Sequence, residues 1–231
     1  MLRAGSWWAL ALFVAALAAF WKPYLSQLDR AEAAVHAHAI LMTAWIGLLA
    51  LQPQLVARER RALHRRIGRY TFVLAPIIVA AGLYLWHIRT LQVPAERLDA
   101  VAPSLYLGFG ATLNFAVFYA LGIRHRRVAP VHGRYLLATL APMVDPVTAR
   151  LLGFYGPYFE SDLVYAMPAW LLVGGVVGAL AWRDSRTAGP ARFTFLRVLG
   201  LYALFQAPLV VLAPTAWWRA AIDAYRGAFG I

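Results

Sequence analysis

Apolar residues in this chain form long uninterrupted blocks instead of alternating with polar ones. A block of about 20 apolar residues matches the ~30 Å hydrocarbon thickness of a bilayer when it folds as an α-helix. The connectors between the blocks are too short to hold a soluble domain. We therefore predict an all-α, polytopic transmembrane helix bundle that forms one integral membrane domain over residues 1–231. The seven predicted spans are 5–21, 33–57, 67–88, 103–123, 132–154, 163–183 and 194–214.

Composition agrees with a membrane protein. The chain is 62% hydrophobic and only 14% charged, and its mean hydropathy is +0.61. The charged fraction is about half that of an average soluble domain. Because the sequence has no cysteine, disulfides, thiolate zinc sites and cysteine-ligated iron–sulfur clusters are excluded.

The net charge of +12 follows a membrane pattern and does not indicate a nucleic-acid partner. Arg3 and the turns 58–69, 124–134 and 183–197 hold 15 basic residues and two acids. The other side holds seven basic residues and, leaving out the mid-span Asp145, seven acids. Basic residues accumulate in cytoplasmic loops. We therefore predict a cytoplasmic amino terminus and an external carboxyl terminus, in the inner membrane of a bacterium, with the lipid bilayer as the surrounding partner.

Two local features predict contacts at the edge of the bundle. Residues 215–229 are rich in aromatic side chains and predict a short helix along the outer interface. Gly174 and Gly178 lie four residues apart in the sixth span, a spacing that allows another helix to approach closely.

Two hairpins share a sequence pattern. Each has an arginine-rich turn, a return helix that starts with His-x-Arg, and a Leu-Ala-Pro triplet further along. The His-x-Arg motif is residues 64–66 in the first hairpin and 132–134 in the second. The Leu-Ala-Pro triplet is residues 74–76 in the first hairpin and 140–142 in the second. The pattern predicts a parallel internal repeat, and the alternative is a chance similarity between two arginine-rich turns.

Four of the six histidines are expected at two depths in the membrane. His64 and His132 start spans three and five at the cytoplasmic boundary. At ~1.5 Å per helical residue, His38 and His87 lie roughly 27–28 Å away from that boundary. Two facing histidines at one depth are what bis-histidine haem requires. We therefore take both pairs as candidate ligands of haem b, with interfacial capping or headgroup binding as the alternative.

Arginines accompany the inner histidines. Arg66 and Arg134 follow them in the two His-x-Arg motifs. Their guanidinium groups could form forked hydrogen bonds to haem propionates or to another anionic ligand. The alternative is that they anchor the cytoplasmic side by touching lipid phosphates.

Asp145 is the least expected residue of the sequence. It lies roughly 17 Å beyond Arg134 along span five, where an ionisable group is costly and marks a functional-site hypothesis. Asn114 and Gln206 reach a similar depth in their own spans, and Arg150 could act as a counter-charge from beyond Pro146. These residues predict a mid-membrane polar pocket. A purely structural buried network is the alternative.

The chain resembles a group of bacterial multi-pass membrane proteins to which no function is assigned. The resemblance covers about residues 36–152 and is carried by His38, Trp45, Gln52, Leu63 to Gly68, Val131 to Arg134, Ala141-Pro142 and Arg150. The chain also has a distant similarity to transmembrane b-type cytochromes, which hold haem between paired histidines near each leaflet. It departs from that pattern in span four, which lacks histidine, so His64 with His132 is the better-matched pair.

Three functions follow from these observations. The first is a membrane redox protein that binds at least one b-type haem and exchanges electrons with quinone or another redox partner. The second is a transporter or proton-coupled carrier built around the mid-membrane pocket. The third is a non-catalytic membrane subunit of a larger complex. Enzymatic activity, substrate and oligomeric state are left open, and no metal other than haem iron is expected.

Overall fold

The computed structural model of the protein describes residues 2–157, 162–211 and 215–231. Within these ranges the chain forms nine α-helices and no strand, so the all-α prediction is confirmed. Two short 3-10 helices precede α2 and α4, at Leu25–Arg30 and Ala95–Arg97. The α-helices are α1 Leu2–Ala19, α2 Ala33–Ala57, α3 Arg61–Gln92, α4 Leu98–Arg124, α5 Ala129–Ala138, α6 Ala141–Tyr155, α7 Asp162–Ser185, α8 Thr194–Val211 and α9 Ala216–Gly227.

Five helical segments of the described chain are long and apolar enough to cross a membrane. They are Ala33–Ala57, Arg61–Gln92, Ala95–Arg124, Ala129–Tyr155 and Val164–Ser185. They correspond to the second to sixth predicted spans. The first predicted span contains a shorter apolar helix, Gly5–Ala19. The seventh coincides with α8 up to Val211, and its last residues, 212–214, lie outside the described residues.

The predicted fifth span coincides with the candidate span Ala129–Tyr155, but this segment is divided into the two helices α5 and α6. Thr139 and Leu140 separate the two helices, and their N–H groups bond three residues back instead of four, to Leu136 and Leu137. Pro142 explains the break, since it has no N–H to bond to the carbonyl of Ala138, the last residue of α5, and its ring clashes with that carbonyl in a continuous helix. The kinked segment still crosses the bundle as one unit.

Helix α3 is ten residues longer than the predicted span 67–88. It begins at Arg61, so most of the arginine-rich stretch 58–69, predicted as a turn, is helical. Long arginine side chains allow this, since their apolar stems cover the helix while the guanidinium groups stay in the polar boundary. The turn between α2 and α3 is consequently tight and includes Glu59, whose φ of 59° is left-handed.

The bundle has two packed halves that share α4. One apolar core joins α4 and α5 with α6, α7 and α8. The other joins α1, α2 and α3 with α4 and the break between α5 and α6. The second hairpin therefore lies in the centre of the bundle, whereas α2 and α3 lie at its side.

Helix α9 closes one end of the bundle. Its buried face packs Trp218 and Ile222 against Leu98 and Ala102 at the start of α4. Arg226, also buried, donates hydrogen bonds to the Thr90 and Val93 carbonyls, which are unpaired at the end of α3. The predicted helix over 215–229 is thus present, and it docks onto other helices in addition to exposing Trp217.

Candidate functional site

The two histidines expected at the cytoplasmic boundary occupy equivalent positions in their helices. His64 is the fourth residue of α3, and His132 is the fourth residue of α5. An electrostatic interaction links the two imidazoles, and His64 also interacts with the main chain of Gln52 on α2. The first turns of two return helices and the end of α2 therefore form one polar cluster, the inner site, defined by Gln52, His64 and His132.

Three polar atoms of the inner site have no hydrogen-bond partner among the described residues. They are Nδ1 of His64 and both amide atoms of Gln52, all buried. Buried polar atoms are normally satisfied, because each unpaired group costs about 1–3 kcal/mol. Such atoms clustered beside a second histidine are consistent with a site that is completed by a bound polar group.

The orientation of His132 leaves one ring nitrogen available. Its Nδ1 lies 2.8 Å from the main-chain carbonyl oxygen of Gly122. A carbonyl only accepts hydrogen bonds, so Nδ1 donates and Nε2 keeps its lone pair. Histidines that bind metals commonly have their second ring nitrogen fixed in this way.

The two arginines predicted to bind anions lie in different environments. Arg134 donates from Nε to the Asp184 carboxylate at 2.6 Å, and this ion pair ties α5 to the end of α7. Its Nη1 donates to the Pro130 carbonyl. Arg66 is exposed on α3. Arg66 is therefore the better placed of the two to contact an added anionic group, because Asp184 already neutralises Arg134.

The outer histidines are not brought together by any hydrogen bond or ring contact within the described residues. Nδ1 of His87 lies 2.8 Å from the Tyr225 hydroxyl on α9, and its ring also contacts Phe229. His38 has a buried, unpaired Nδ1 and interacts electrostatically with Arg150 instead. Neither histidine pair is joined by a hydrogen bond or ring contact within the described residues. An electrostatic interaction links His64 with His132, whereas none in the described structure links His38 with His87.

Asp145 lies fully buried between α6 and α8. Its Oδ2 accepts hydrogen bonds from Gln206 Nε2 at 2.7 Å and from the Tyr202 hydroxyl at 3.1 Å. Gln206 in turn accepts from Trp170 Nε1 at 3.1 Å, which links α7 to the network. The predicted contact between Asp145 and Gln206 is confirmed. Asp145 Oδ1 has no partner among the described residues.

Arg150, one of the partners considered for Asp145, is not its counter-charge in the described structure. Arg150 Nη1 donates to the Pro146 carbonyl at 3.0 Å, and its guanidinium lies 4.5 Å from the centre of the Phe20 ring on α1. No ion pair joins Arg150 to an acid within the described ranges. The residues are five apart, and this offset directs the arginine away from Asp145 because a helix turns by ~100° per residue.

The neighbours of Asn114 on α4 indicate the direction of its side chain. On α4, Phe118 packs into the core that contains Ala141 and Tyr202, and a side chain at Gly110 would meet the Phe205 carbonyl at 3.5 Å. Asn114 is midway between these two positions on one helix face. It therefore faces α6 and α8. It is fully buried, and both its amide atoms are unpaired in the described structure.

Sequence reasoning missed three residues of these sites: Tyr202, Trp170 and Asp184. Tyr202 could have been found because it precedes Gln206 by four residues, which places both on one helix face. Trp170 and Asp184 carry no such signal, since tryptophan and acidic residues near helix ends also occur at membrane interfaces.

No group of three or more histidine, cysteine, aspartate or glutamate side chains could hold a metal ion in the part of the chain that the structure describes. Comparisons with protein-family models, with curated proteins and with solved structures find no match to this chain.

Proposed function

We propose that this protein is an integral membrane redox protein that binds one b-type haem at the inner site, with His64 and His132 as axial ligands. The observation that carries the proposal is the cluster of unpaired buried atoms on His64 and Gln52 beside the available Nε2 of His132. The outer pair, His38 and His87, is not included.

The residues present fit such a group. Two imidazoles from neighbouring helices are the usual ligands of low-spin haem b, and the Gly122 carbonyl fixes the ring of His132. Gln52 offers a buried amide that could donate a hydrogen bond to the edge of the bound group. Arg66 lies two residues beyond His64 and could neutralise a propionate at the boundary.

Haem bound in this way supplies one-electron transfer. The protein would set its orientation through the two histidines and would exclude water with the apolar side chains of α2, α3 and α4. Burial and hydrogen bonding around the site are the means by which a protein tunes the reduction potential. The electron donor or acceptor would be quinone or another redox partner on the cytoplasmic side.

The proposed location is the inner membrane of a bacterium, with seven spans, the amino terminus inside and the carboxyl terminus outside. The support is the distribution of the 22 basic residues, of which 15 fall on one side. Helix α1 and the described part of α8 would supply the first and seventh spans. The inner site would then lie at the cytoplasmic boundary.

The haem proposal is tested by the visible spectrum of detergent-purified protein that was expressed with ample haem supply. We expect a Soret band and sharp α-bands on reduction. His64→Ala and His132→Ala should each abolish the low-spin signal. His125→Ala is the matched control, because His125 stacks on Tyr135 outside the site, and it should keep the signal. Purified wild-type protein without haem would contradict the proposal.

The topology is tested separately with reporter fusions. Fusions after residues 60, 128 and 188 should report the cytoplasm, and fusions after residue 95 or at the carboxyl terminus should report the outside. The reason is the arginine distribution, which does not depend on haem. A cytoplasmic carboxyl terminus would contradict seven spans.

A further inference from the structure

The layer around Asp145 presents buried polar atoms that the haem proposal does not use. Asp145 Oδ1, Asn114 Oδ1 and Asn114 Nδ2 all lack partners in the described structure. Both side chains are completely buried. The packing of Gly110 and Phe118, one helical turn on either side of Asn114, indicates that Asn114 is directed toward α8, which also supplies the two donors to Asp145. Three unpaired atoms in one layer are more than a structural network of this size would leave, since such networks are stable when all members are satisfied.

A further oxygen comes from the backbone. Pro146 has no N–H, so the carbonyl of Pro142, four residues earlier in α6, loses its helical partner. In a membrane protein a carbonyl freed at a proline must find another partner. Asp145 immediately precedes this proline, so the freed carbonyl and the unpaired carboxylate oxygen belong to the same turn of α6.

The charge of this layer is not balanced by the protein. Within the described residues, Asp145 accepts hydrogen bonds only from the neutral groups of Tyr202 and Gln206. The nearest arginine along the helix, Arg150, is directed to Pro146 and Phe20. An ionised carboxylate in the middle of a bundle is costly unless a cation compensates it. Oxygen atoms of carboxylate, amide and main-chain groups are the ligands that hard cations prefer.

We propose that Asp145 and Asn114 form a buried site for one sodium ion between α4, α6 and α8. Asp145 Oδ1, Asn114 Oδ1 and the Pro142 carbonyl supply oxygen ligands. Tyr202 and Gln206 hold the other carboxylate oxygen and so orient the aspartate. One monovalent ion makes the layer neutral. The site is independent of the inner site and of haem.

The test compares the thermal stability of purified protein in sodium chloride and in choline chloride at equal ionic strength. Sodium should raise the unfolding midpoint in a saturable manner, by roughly 5–10 °C at a hundredfold excess over its dissociation constant. Choline, which is too large for a buried site, should have no such effect. Coinciding curves for the wild type would overturn the proposal, since Asp145 would then be neutralised without sodium.

Variants assign the effect to the layer. Asp145→Asn removes the charge and keeps the shape, and Asn114→Leu removes the second ligand without changing the charge. Both should lose the sodium response. Thr194→Val is the matched control, because it removes a buried unpaired hydroxyl elsewhere in the bundle and should keep the response.

Two further comparisons separate the possible outcomes. If Asp145→Asn does not fold, the wild type and Asn114→Leu still decide, and a full sodium response in Asn114→Leu would overturn the site. His64→Ala should keep the sodium response even where it loses haem. Loss of the response in that variant would show that the two sites are not independent.

Discussion

The hairpin α2–α3 and the hairpin α4–α5 share a sequence pattern but differ in surroundings. Both return helices carry histidine as their fourth residue and arginine as their sixth. Helix α3 is continuous over its full length of 32 residues, which includes Pro76. The second return helix stops after ten residues, before Pro142. The same Leu-Ala-Pro triplet thus leaves one helix continuous and accompanies a break in the other.

Burial explains the difference between the hairpins. Buried residues make up 44% of an apolar 18-residue stretch of Ala129–Tyr155, compared with 17% of such a stretch in Arg61–Gln92. A helix that is packed among other helices can be broken, because neighbouring groups can reach the freed backbone atoms, whereas a helix facing lipid has fewer such neighbours. The central hairpin, α4–α5, together with α6 therefore contains most of the buried side-chain hydrogen bonds among the described residues, while the hairpin α2–α3 supplies His64 and Gln52 to the inner site.

The largest expected effect concerns the arginines of the two His-x-Arg motifs. Asp184→Asn should lower the free energy of unfolding by about 2–4 kcal/mol, because it leaves the guanidinium of Arg134, only 12% exposed, without its partner. Arg66→Gln, at the equivalent position of the hairpin α2–α3, should change the free energy of unfolding by less than about 0.5 kcal/mol, because Arg66 is exposed. Unfolding in mixed detergent micelles measures both. Equal effects would remove the contrast between the hairpins.

Two glutamines with buried amide groups give the next contrast. Gln206→Leu should cost about 1–3 kcal/mol, because Asp145 loses a donor and Trp170 loses its acceptor. Gln52→Leu should cost nothing in haem-free protein, since both amide atoms are unpaired before the substitution. The same unfolding assay applies. A large loss from Gln52→Leu in haem-free protein would show that Gln52 has a structural partner.

Two glycines give the smallest contrast. A side chain at Gly122 on α4 would meet Leu136 Cδ2 at 2.7 Å, whereas at Gly68 on α3 its nearest contact is Gln52 Nε2 at 4.0 Å. Gly122→Ala should therefore destabilise the protein by about 1–2 kcal/mol through overpacking. Gly68→Ala should be neutral or slightly stabilising, because alanine favours helix. Thermal unfolding measures both variants. A larger loss of stability in Gly68→Ala than in Gly122→Ala would show that α4 packs loosely on α5.

The helices could be predicted because bilayer thickness dictates long apolar blocks, and the second span, 33–57, agrees with α2 to the residue. The start of α3 could not, since arginines are equally acceptable in a turn and in a first helical turn. The spacing of Gly174 and Gly178 allows close approach, but no described residue from another part of this chain lies within 4 Å of a side chain added at either position. The spacing allows helix contact but does not specify which helix faces it.

The candidate sites were predicted by residue type and depth, but their partners were not. Depth along a helix follows from counting residues, so Asp145 and Gln206 were placed at one level correctly. The direction of Arg150 depends on the break before Pro142 and on the ring of Phe20, which lies on another helix. Such contacts depend on helix rotation, and hydrophobic blocks without polar stripes do not define that rotation.

The central claim is that the inner site, and not the outer histidine pair, holds a single haem. The most direct test is the haem-to-protein ratio of the purified wild type and of the double variant His38→Ala, His87→Ala. The account predicts one haem per chain in both proteins, because His64 and His132 are unchanged in the double variant. A ratio of zero in the wild type, or a loss of haem in the double variant, would contradict it.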